Sequence, residues 1–372
     1  MYIQSVDLDN FRNYGRLHLK PGRGINVLYG DNGQGKSNLL EALYLAAVNK
    51  SFRGAKDKEM IRFGEKEAHV KIILSKKDVL HRIDLHLKES GNKGIAVDSV
   101  PIRKTRDFLG MLNCVLFSPE DLQIVKNGPS ERRRFLDTEL CVLDPIYFDA
   151  LTMYKKVLEQ RNQLLKDIFS EPSLIETLSV WDEQLVRYGN TIIERRMQFL
   201  KELDPLVREF HEKLSGKKES LSLVYEPNVS PEQFRETLEK NRNRDVYSKN
   251  TGTGPHRDDF EFRISFPEKE RPPIDSRVYG SQGQQRTCAL ALKMAEIEIV
   301  RRKTSDTPIL LLDDVLSELD AQRQTYLLDS LEDVQTFITC TGLDDFIRNS
   351  FNCGTVYRVS NGEIENGNRY SE

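Results

Sequence analysis

The chain has 372 residues, of which 38% are hydrophobic and 30% are charged, and its formal net charge is −3 at pH 7. This length and composition predict a soluble chain of two or three compact units, and they exclude membrane crossings, since no apolar run approaches roughly 20 residues. The slightly acidic balance gives no sign of nucleic-acid binding through bulk charge, so such binding would depend on local basic clusters.

The N-terminus and the cysteines indicate where the protein is found. The opening MYIQSVDLDNFRNY has no basic head and no apolar signal core, so we expect no secretion. Cys114, Cys141, Cys288, Cys340 and Cys353 are scattered, and none are in C-x-x-C spacing. That pattern argues against a disulfide framework or a zinc site and predicts a cytoplasmic protein.

A glycine-rich turn follows the first strongly apolar run. INVLYG (25–30) predicts a strand, residues 30–37 read G-x-x-x-x-G-K-S, and a helix is predicted from about Lys36 to Val48. This is the context of a phosphate-binding P-loop, in which backbone N–H groups and a helix N-terminus favour an anion. We expect Lys36 to reach the β- and γ-phosphates of ATP and Ser37 to hold Mg²⁺. The residues predicted to bind ATP are Gly30, Asp31, Asn32, Gly33, Gln34, Gly35, Lys36 and Ser37.

The next stretch predicts β-structure. Between residues 68 and 102, AHVKIIL and LHRIDLHL flank the polar turn SKKD, and GIAVDSVPI follows, which is the pattern of a β meander. NCVLFSPEDL (113–122) then predicts a buried strand that leads into a helix begun by proline.

From about residue 144 the pattern becomes helical. An apolar seam with steps of three and four runs from Leu174 to Leu214. The shorter run before it comprises Ile146, Met153, Val157, Leu164 and Ile168, and FSEPS (169–173) separates the two. These runs predict an antiparallel helical arm of modest length, with a helical subdomain packed on the body as the alternative.

The segment after the arm combines strand, helix and turn signals. SLSLVYE (220–226) predicts a strand, SPEQ (230–233) a helix start, and residues 241–250 a basic polar link. TGTGPHRDDFEFRISF (251–266) predicts a glycine-rich turn and an alternating strand. Its His256, Asp258 and Asp259 would make a poor metal cage, so a structural or inter-lobe role is favoured for His256.

Two motifs occupy the last hundred residues. YGSQGQQRTCALALKMAE (279–296) has S-x-G-Q just before a long helix, which alone is a weak pattern usually explained by a helix cap. PILLLDDVLSELD (308–320) begins with the apolar run of a fully buried parallel strand, and this strand ends in Asp313 and Asp314. A carboxylate at such a strand end is costly unless it binds something. We therefore expect Asp313 to hold Mg²⁺, either directly or through one of the ion's own ligands, and Asp314 to orient the attacking water.

In order and spacing these motifs resemble those of ABC-type ATPases, whose signature motif is usually written LSGGQ. The resemblance implies that Ser281, Gly283 and Gln284 present a hydroxyl, backbone N–H groups and a helix dipole to the γ-phosphate of an ATP held by another subunit. It therefore implies an ATP-dependent homodimer. SELD (317–320) resembles the loop that crosses the dimer seam.

Within that class the chain resembles the RecF family of bacterial recombination mediators. The similar segments are LDNFRNY (8–14), FSPEDLQIVKNGPSERRRFLD (117–137), GTGPHRDDF (252–260) and GSQGQQRT (280–287). The fold implied is α/β: an ABC-type P-loop ATPase head with a β meander, plus an inserted antiparallel helical arm. The predicted division is 1–142 for the N-terminal part of the head, 143–250 for the arm and 251–372 for the C-terminal part of the head.

The resemblance also implies residue roles near the nucleotide. Arg12 and Asn13 fall in a turn that lies near it, and Gln123, after Glu120, is a candidate for the Q-loop glutamine. Asp314 stands where a glutamate is usual, so slow hydrolysis is expected. Thr339 or Thr341 would replace the missing switch histidine.

The function implied is that of an ATP-gated DNA clamp of recombinational repair and replication restart. It would be a weak, DNA-stimulated ATPase that binds at single-strand gaps, helps RecA loading with RecR and RecO, and is linked to the SOS response. An SMC-like structural cohesion ATPase would need far longer arms. The ATP-binding subunit of an ABC transporter would lack the helical insert and carry a switch histidine.

DNA contact is expected to be sequence-independent and made to the phosphate backbone, because lysine and arginine clusters suffice for such contact. The primary candidates lie in KSFRGAKDK (50–58) and the secondary ones in ERRRF (131–135), with ordinary solvated helix faces as the alternative for each cluster. The candidate residues are Lys50, Arg53, Lys56, Lys58, Arg132, Arg133 and Arg134.

Overall fold

The structure is a computed structural model that describes residues 1–267, 271–329, 333–342 and 354–366, so Cys353 lies outside the described residues. The chain forms two compact units. Unit 1 comprises Met1–Asp121 and Glu296–Glu372, and unit 2 comprises Leu122–Ala295. The predicted division at 143 and 251 stays a prediction.

The strands of the described residues belong to three sheets. They are β1 Tyr2–Phe11, β2 Tyr14–Leu19, β3 Ile25–Tyr29, β4 Glu67–Lys76, β5 Val79–Lys88, β6 Gly94–Val97, β7 Val100–Pro101, β8 Cys114–Phe117, β9 Ser220–Glu226, β10 Asp259–Ser265, β11 Ile274–Asp275, β12 Ile309–Asp313, β13 Thr336–Cys340, β14 Thr355–Ser360 and β15 Glu363–Asn366. The predicted strands in INVLYG (25–30), SLSLVYE (220–226) and PILLLDD (308–314) are confirmed, as is the β meander.

The α-helices of the described residues range from one turn to ten. They are α1 Lys36–Val48, α2 Leu122–Lys126, α3 Pro129–Leu143, α4 Pro145–Ser170, α5 Leu178–Leu214, α6 Phe234–Lys240, α7 Arg242–Ser248, α8 Ser276–Tyr279, α9 Gln282–Thr304 and α10 Ala321–Asp329. The prediction of a polar link at 241–250 is wrong, because most of it is helix α7, which is followed by Lys249 in the left-handed conformation. None of the helices in the described part of the chain combines the length and apolar composition that a bilayer crossing needs.

Unit 1 contains two six-stranded sheets. The first has the order β2-β1-β4-β5-β6-β7 and is antiparallel throughout. The second has the order β15-β14-β3-β13-β12-β8, and β14, β3, β13, β12 and β8 run parallel. All five residues of β12 are buried, as expected for a central parallel strand.

One apolar core joins α1 to these sheets. Nine of the thirteen residues of α1 are buried, including Leu39, Leu43 and Ala46, and the same core contains Ile72, Leu311 and Phe337. Burying each leucine contributes roughly 1.5–3 kcal/mol relative to exposure. The core therefore fixes the start of α1, and with it the glycine-rich turn, against the second sheet.

Unit 2 is built around the packed helices α4 and α5 and the sheet β11-β10-β9. The seam predicted along α5 is largely confirmed, since Leu185, Ile192 and Phe199 are at most 1% exposed. The seam predicted along α4 is partly wrong: Ile146 is 57% and Met153 36% exposed. The buried row instead contains Tyr147, Tyr154 and Arg161, at successive steps of seven.

Candidate nucleotide-binding and signature sites

Three parallel strands of the second sheet bring the predicted phosphate and magnesium residues to one edge. In the strand register, Asp313 of β12 pairs with Thr339 of β13, which pairs with Leu28 of β3. The glycine-rich turn begins two residues after Leu28. Adjacent strands lie about 4.8 Å apart, so Asp313 is roughly 10 Å from the strand that starts the turn.

The backbone of the turn requires glycine at two positions. Gly30 has φ of +150°, and a Cβ there would lie 2.3 Å from the carbonyl oxygen of Val359. Gly35 has φ of +119°, and its Cβ would lie 2.7 Å from the side-chain amide of Asn13. Side chains other than hydrogen would clash at both positions, so the loop conformation depends on these glycines.

The Lys36 side chain lies inside the loop. Its ammonium donates to the carbonyl oxygens of Gly30 at 2.5 Å and Asp31 at 2.8 Å, and the residue is 7% exposed. These two hydrogen bonds hold the ammonium group within the curve of the loop. Ser37, the next residue, is half-buried at the start of α1.

The turn between β1 and β2 lies against the same loop, as predicted. The amide of Asn13 donates to the Gln34 carbonyl oxygen at 2.8 Å and accepts from the amide of Asn38 at 2.8 Å. The Tyr14 hydroxyl donates to the Gly35 carbonyl oxygen at 3.0 Å. The turn thus supports the shape of the loop, while contact of Arg12 and Asn13 with a nucleotide stays a prediction.

Sequence reasoning missed a buried carboxylate, Glu41 of α1, which is 0% exposed. Arg12 binds it through two hydrogen bonds of 2.7 and 2.8 Å, and the Ser51 hydroxyl donates to it at 2.5 Å. Arg53 lies 4.0 Å from the same carboxylate and donates to Asn38 at 2.9 Å. The available signal was a lone glutamate within the apolar run LLEALYLAAV.

Thr339 organises the two aspartates that end β12. Its hydroxyl donates to the Asp313 carboxylate at 2.8 Å and accepts from the backbone N–H of Asp314 at 2.9 Å. Asp313 is 8% exposed, whereas Asp314 is exposed and has φ of +55°. Burial and then the Asp313 carboxylate raise the pKa of Asp314, and the Lys36 charge opposes this. Thr341 is exposed, and the replacement of a switch histidine by Thr339 or Thr341 stays a prediction.

The predicted signature residues form the N-terminal cap of α9 in unit 2. The Ser281 hydroxyl accepts from the Gln284 N–H at 3.3 Å, and the Gln284 side chain accepts from the Ser281 N–H at 2.8 Å. This reciprocal pair is a capping box. Gln284 also donates to Glu219 at 2.7 Å. A Cβ at Gly283, which is exposed, would meet no atom within 4 Å, so packing within the chain does not require glycine there.

The two predicted DNA-contact clusters differ in exposure. Lys50, Arg53, Lys56 and Lys58 are all exposed between α1 and β4. By contrast Arg132 is 3% exposed and binds Asp259 through bonds of 2.6 and 2.8 Å. That geometry contradicts phosphate contact by Arg132, because a buried and paired guanidinium cannot reach a polyanion.

The other two arginines of the second cluster are more accessible. Arg133 is half-buried and donates to the Asp258 carbonyl oxygen at 2.7 Å. Arg134 is 59% exposed and lies 3.8 Å from Glu131. Gln123 is also exposed, on α2 of unit 2. DNA contact by Arg133 and Arg134 and the Q-loop role of Gln123 stay predictions.

His256 is held by protein partners on both ring nitrogens. Its Nε2 lies 3.0 Å from the Thr251 carbonyl oxygen, which only accepts, so Nε2 carries the proton. Its Nδ1 then accepts from the Tyr154 hydroxyl at 2.6 Å. Burial lowers the pKa of His256 to about 4, which keeps the ring neutral. The favoured structural role agrees with this geometry.

The unit 1 residues fit a nucleoside triphosphate and a magnesium ion. The loop offers backbone N–H groups, a buried ammonium at Lys36 and a helix N-terminus, all of which favour an anion. Ser37 and Asp313 supply the oxygen ligands that Mg²⁺ prefers. Together with the strand order, this arrangement defines a P-loop ATPase head of the ABC and SMC class.

Comparisons with known proteins narrow that class. The family model described as RecF/RecN/SMC N terminal domain matches residues 2–365. The chain is 52% identical over 365 residues to the DNA replication and repair protein RecF of Agathobacter rectalis, covering 98% of this chain and 99% of that protein. It is 50% identical over 367 residues to the RecF protein of Lachnoclostridium phytofermentans, covering 99% and 100%. The chain therefore belongs to the RecF family.

Solved structures agree with this assignment. The recombination mediator protein RecF-ATPrS in the RecFOR pathway is 38% identical, with a TM-score of 0.90 and 98% of both chains covered. The Smc head domain of Pyrococcus furiosus, bound to the C-terminal domain of ScpA, is 18% identical, with a TM-score of 0.57 and coverage of 98% and 95%. The second likeness shows the fold alone.

Proposed function

We propose that this protein is an ATP-gated DNA-binding ATPase of recombinational repair and replication restart. It acts as a homodimer in the cytoplasm, binds DNA at single-strand gaps, and helps RecA loading together with RecR and RecO, with a link to the SOS response. The observation that carries the proposal is the parallel pairing of β3, β13 and β12, whose ends lie side by side. The glycine-rich loop with Lys36 follows β3, Thr339 lies near the end of β13, and Asp313 ends β12. Relatives solved as RecF-ATP and RecF-ATPrS in the RecFOR pathway support the choice of nucleotide and pathway.

In this proposal the residues of unit 1 have separate tasks. Residues 30–35 and Lys36 hold the triphosphate, while Ser37 and Asp313 hold Mg²⁺, which supplies positive charge beside the phosphates when bound. Thr339 fixes the Asp313 carboxylate and the Asp314 backbone, so that Asp314 orients water. The side chain of Asp314 is one methylene shorter than that of glutamate, so it positions water less well and hydrolysis is slow. We further propose that DNA stimulates hydrolysis and that the nucleotide acts as a switch.

The signature residues serve the dimer. The Ser281 hydroxyl can still donate its hydrogen while it caps α9. Gly283 and its neighbours form the first turn of this helix, where backbone N–H groups lack partners within the helix. Because Gly283 is not required by packing within the chain, we propose that it leaves room for the phosphates of ATP on the second subunit. The insert 143–250 forms the arm that separates the two parts of the head.

Replacing Ser281 with arginine tests the dimer. We expect monomers to keep ATP binding while ATP-dependent dimerisation falls at least roughly tenfold, because the bulky charge fills the interface. Loss of the cap costs only about 1 kcal/mol, so the fold is retained. Sedimentation velocity with and without ATP measures the proportions of monomer and dimer. Ser179→Arg, at an exposed serine of α5, is the matched control and should dimerise normally. ATP-dependent dimers of Ser281→Arg at wild-type strength would refute the signature assignment.

Neutralising the exposed loop tests the DNA surface. Changing Lys50, Arg53, Lys56 and Lys58 together to glutamine should weaken binding to short duplex and gapped DNA. The slope of the logarithm of the affinity against the logarithm of the salt concentration should become less steep. The expected change is roughly 0.9 for each DNA phosphate that the variant no longer neutralises. Fluorescence anisotropy at several salt concentrations with ATP present gives this slope.

The control for this test removes the same charge elsewhere. Lys77, Lys88, Arg103 and Lys104 are also exposed in unit 1, and glutamine at all four leaves the net change identical. We expect this control to retain the wild-type slope. Equal slopes for the loop variant and the wild type would place the DNA on a different surface.

A further inference from the structure

The antiparallel sheet of unit 1 carries a cluster of two histidines and a glutamate on its exposed face. His69 of β4 and His86 of β5 are direct partners in the strand register. Glu67 lies two residues before His69 on β4, so its side chain is on the same face. The side chains of His69, His86 and Glu67 are 48%, 32% and 58% exposed, so the cluster is open to solvent.

The ligand-type atoms of this cluster converge. The two imidazole rings are stacked, with centroids 4.1 Å apart and planes 19° apart. The Nε2 atom of His86 lies 2.8 Å from one Glu67 oxygen, and that of His69 lies 3.9 Å from the other. One ligand atom from each residue can be chosen so that all three lie within 4.8 Å of one another.

An ordinary salt bridge would explain one of these contacts but not the arrangement. A single imidazole suffices to pair with Glu67, and two stacked imidazolium rings would repel each other. Two neutral imidazoles and a carboxylate are, in contrast, a common ligand set for a zinc ion that keeps one position for water. In such a site the ligand atoms lie about 3.4 Å apart, which follows from zinc–ligand distances of about 2.1 Å. Small rotations of three exposed side chains bring the observed atoms to that spacing.

We propose that Glu67, His69 and His86 form a binding site for a zinc-class divalent cation that bridges β4 and β5. The sequence expectation of no zinc site came from cysteine spacing alone, and this site uses no cysteine. It shares no residue with the predicted magnesium site at Ser37 and Asp313. It also differs in chemistry, since it has two imidazole ligands and one carboxylate, whereas the magnesium site has oxygen ligands. The inference does not depend on the proposed function.

Charged side chains on the neighbouring strands surround the proposed site. Asp9 of β1 is the register partner of His69 and forms an ion pair with Arg16 at 3.1 Å. Lys88 of β5 is the register partner of Glu67, so a cationic side chain lies beside the proposed ligands. Its repulsion opposes the binding of a second cation and should keep the affinity of the site moderate.

Titration of the full-length, nucleotide-free protein with ZnCl2 tests this proposal. Isothermal titration calorimetry in excess Mg²⁺, which fills sites made of oxygen ligands, should show one zinc equivalent bound by the wild type. His69→Asn, His86→Asn and Glu67→Gln should each lower that affinity roughly 100-fold or more, because each removes a direct ligand. Zinc should also raise the Tm of the wild type and leave the Tm of these variants unchanged.

The matched control is His81→Asn. His81 lies on the same strand and also pairs with a carboxylate, Asp98, at 2.9 Å, but it is not part of the cluster. We expect this variant to bind zinc as the wild type does. Titration with Co²⁺ adds a spectroscopic check, since ligation by cysteine produces intense thiolate bands. No zinc bound by the wild type, unchanged binding by His69→Asn and His86→Asn, or thiolate bands with Co²⁺ would each overturn the proposal.

Discussion

Replacing Lys36 with methionine should lower the affinity for ATP by roughly 100-fold or more. The ammonium at the centre of the loop is proposed to form charge-assisted hydrogen bonds with the β- and γ-phosphates. Each such bond contributes about 1.5–3 kcal/mol, and about 1.4 kcal/mol corresponds to a factor of ten in affinity. Methionine has a similar length and no charge, so the variant removes this interaction without opening the loop. Titration calorimetry with ATP and Mg²⁺ measures the change.

The same substitution should abolish ATP-dependent dimerisation, because nucleotide binding is the proposed trigger. Lys56→Met is the matched control: Lys56 is exposed outside the P-loop, and its replacement should leave ATP affinity unchanged. Thermal unfolding checks that Lys36→Met keeps its fold without the hydrogen bonds to Gly30 and Asp31. Wild-type ATP affinity in Lys36→Met would refute the nucleotide site itself. Weakened ATP affinity with intact ATP-dependent dimers would refute the switch.

The elements around the nucleotide were predictable because their signals are local. The apolar run INVLY, the glycines after it and the helix beginning at Lys36 are consecutive in the chain, and each requires only its neighbours. The strand ending at Asp313 has the same property, since a short apolar run followed by aspartates is readable without tertiary information. That these two strand ends share one edge follows from parallel pairing.

The buried charges of unit 2 were not predictable in this way. Periodicity assigns charged residues to solvent, yet Arg161 is 0% and Arg196 2% exposed. Their partners are distant in sequence: Arg161 binds Asp182 at 2.7 Å and Asp245 at 2.8 Å. Because the seam prediction counted apolar residues only, it placed Ile146 and Met153 inside, where the structure has the row of Tyr147, Tyr154 and Arg161. The same reasoning placed Arg132 at the surface.

Arg196 is the centre of one of these buried networks. Its guanidinium donates to Asp137 at 2.8 Å, Asp258 at 3.0 Å, the Tyr147 hydroxyl at 3.0 Å and the Pro255 carbonyl oxygen at 2.7 Å. It thereby ties α5 to α3, α4 and the PHRDD motif. Arg132 binds the other aspartate of the motif, Asp259. Both aspartates are therefore paired with arginines of the same unit, which explains the motif without any ligand.

Replacing Arg196 with methionine should destabilise unit 2 by about 3–5 kcal/mol, the usual cost of leaving a buried charge without its partner. The uncompensated group is chiefly Asp258, which is 0% exposed and, among the described residues, keeps hydrogen bonds from the Tyr225 hydroxyl and the Asn228 N–H. Urea unfolding followed by fluorescence of Trp181 measures the destabilisation, because this is the chain's one tryptophan and lies on α5 itself.

Lys240→Met is the control for this measurement. Lys240 forms an exposed pair with Glu236, both more than 65% exposed, and exposed pairs contribute at most about 1 kcal/mol. The two variants remove one charge each from the same unit, so a difference between them reports burial rather than charge. If Arg196→Met unfolded at the same urea concentration as Lys240→Met, the network would hold the helices no more strongly than a surface ion pair. The architecture of unit 2 would then depend on its apolar seam alone.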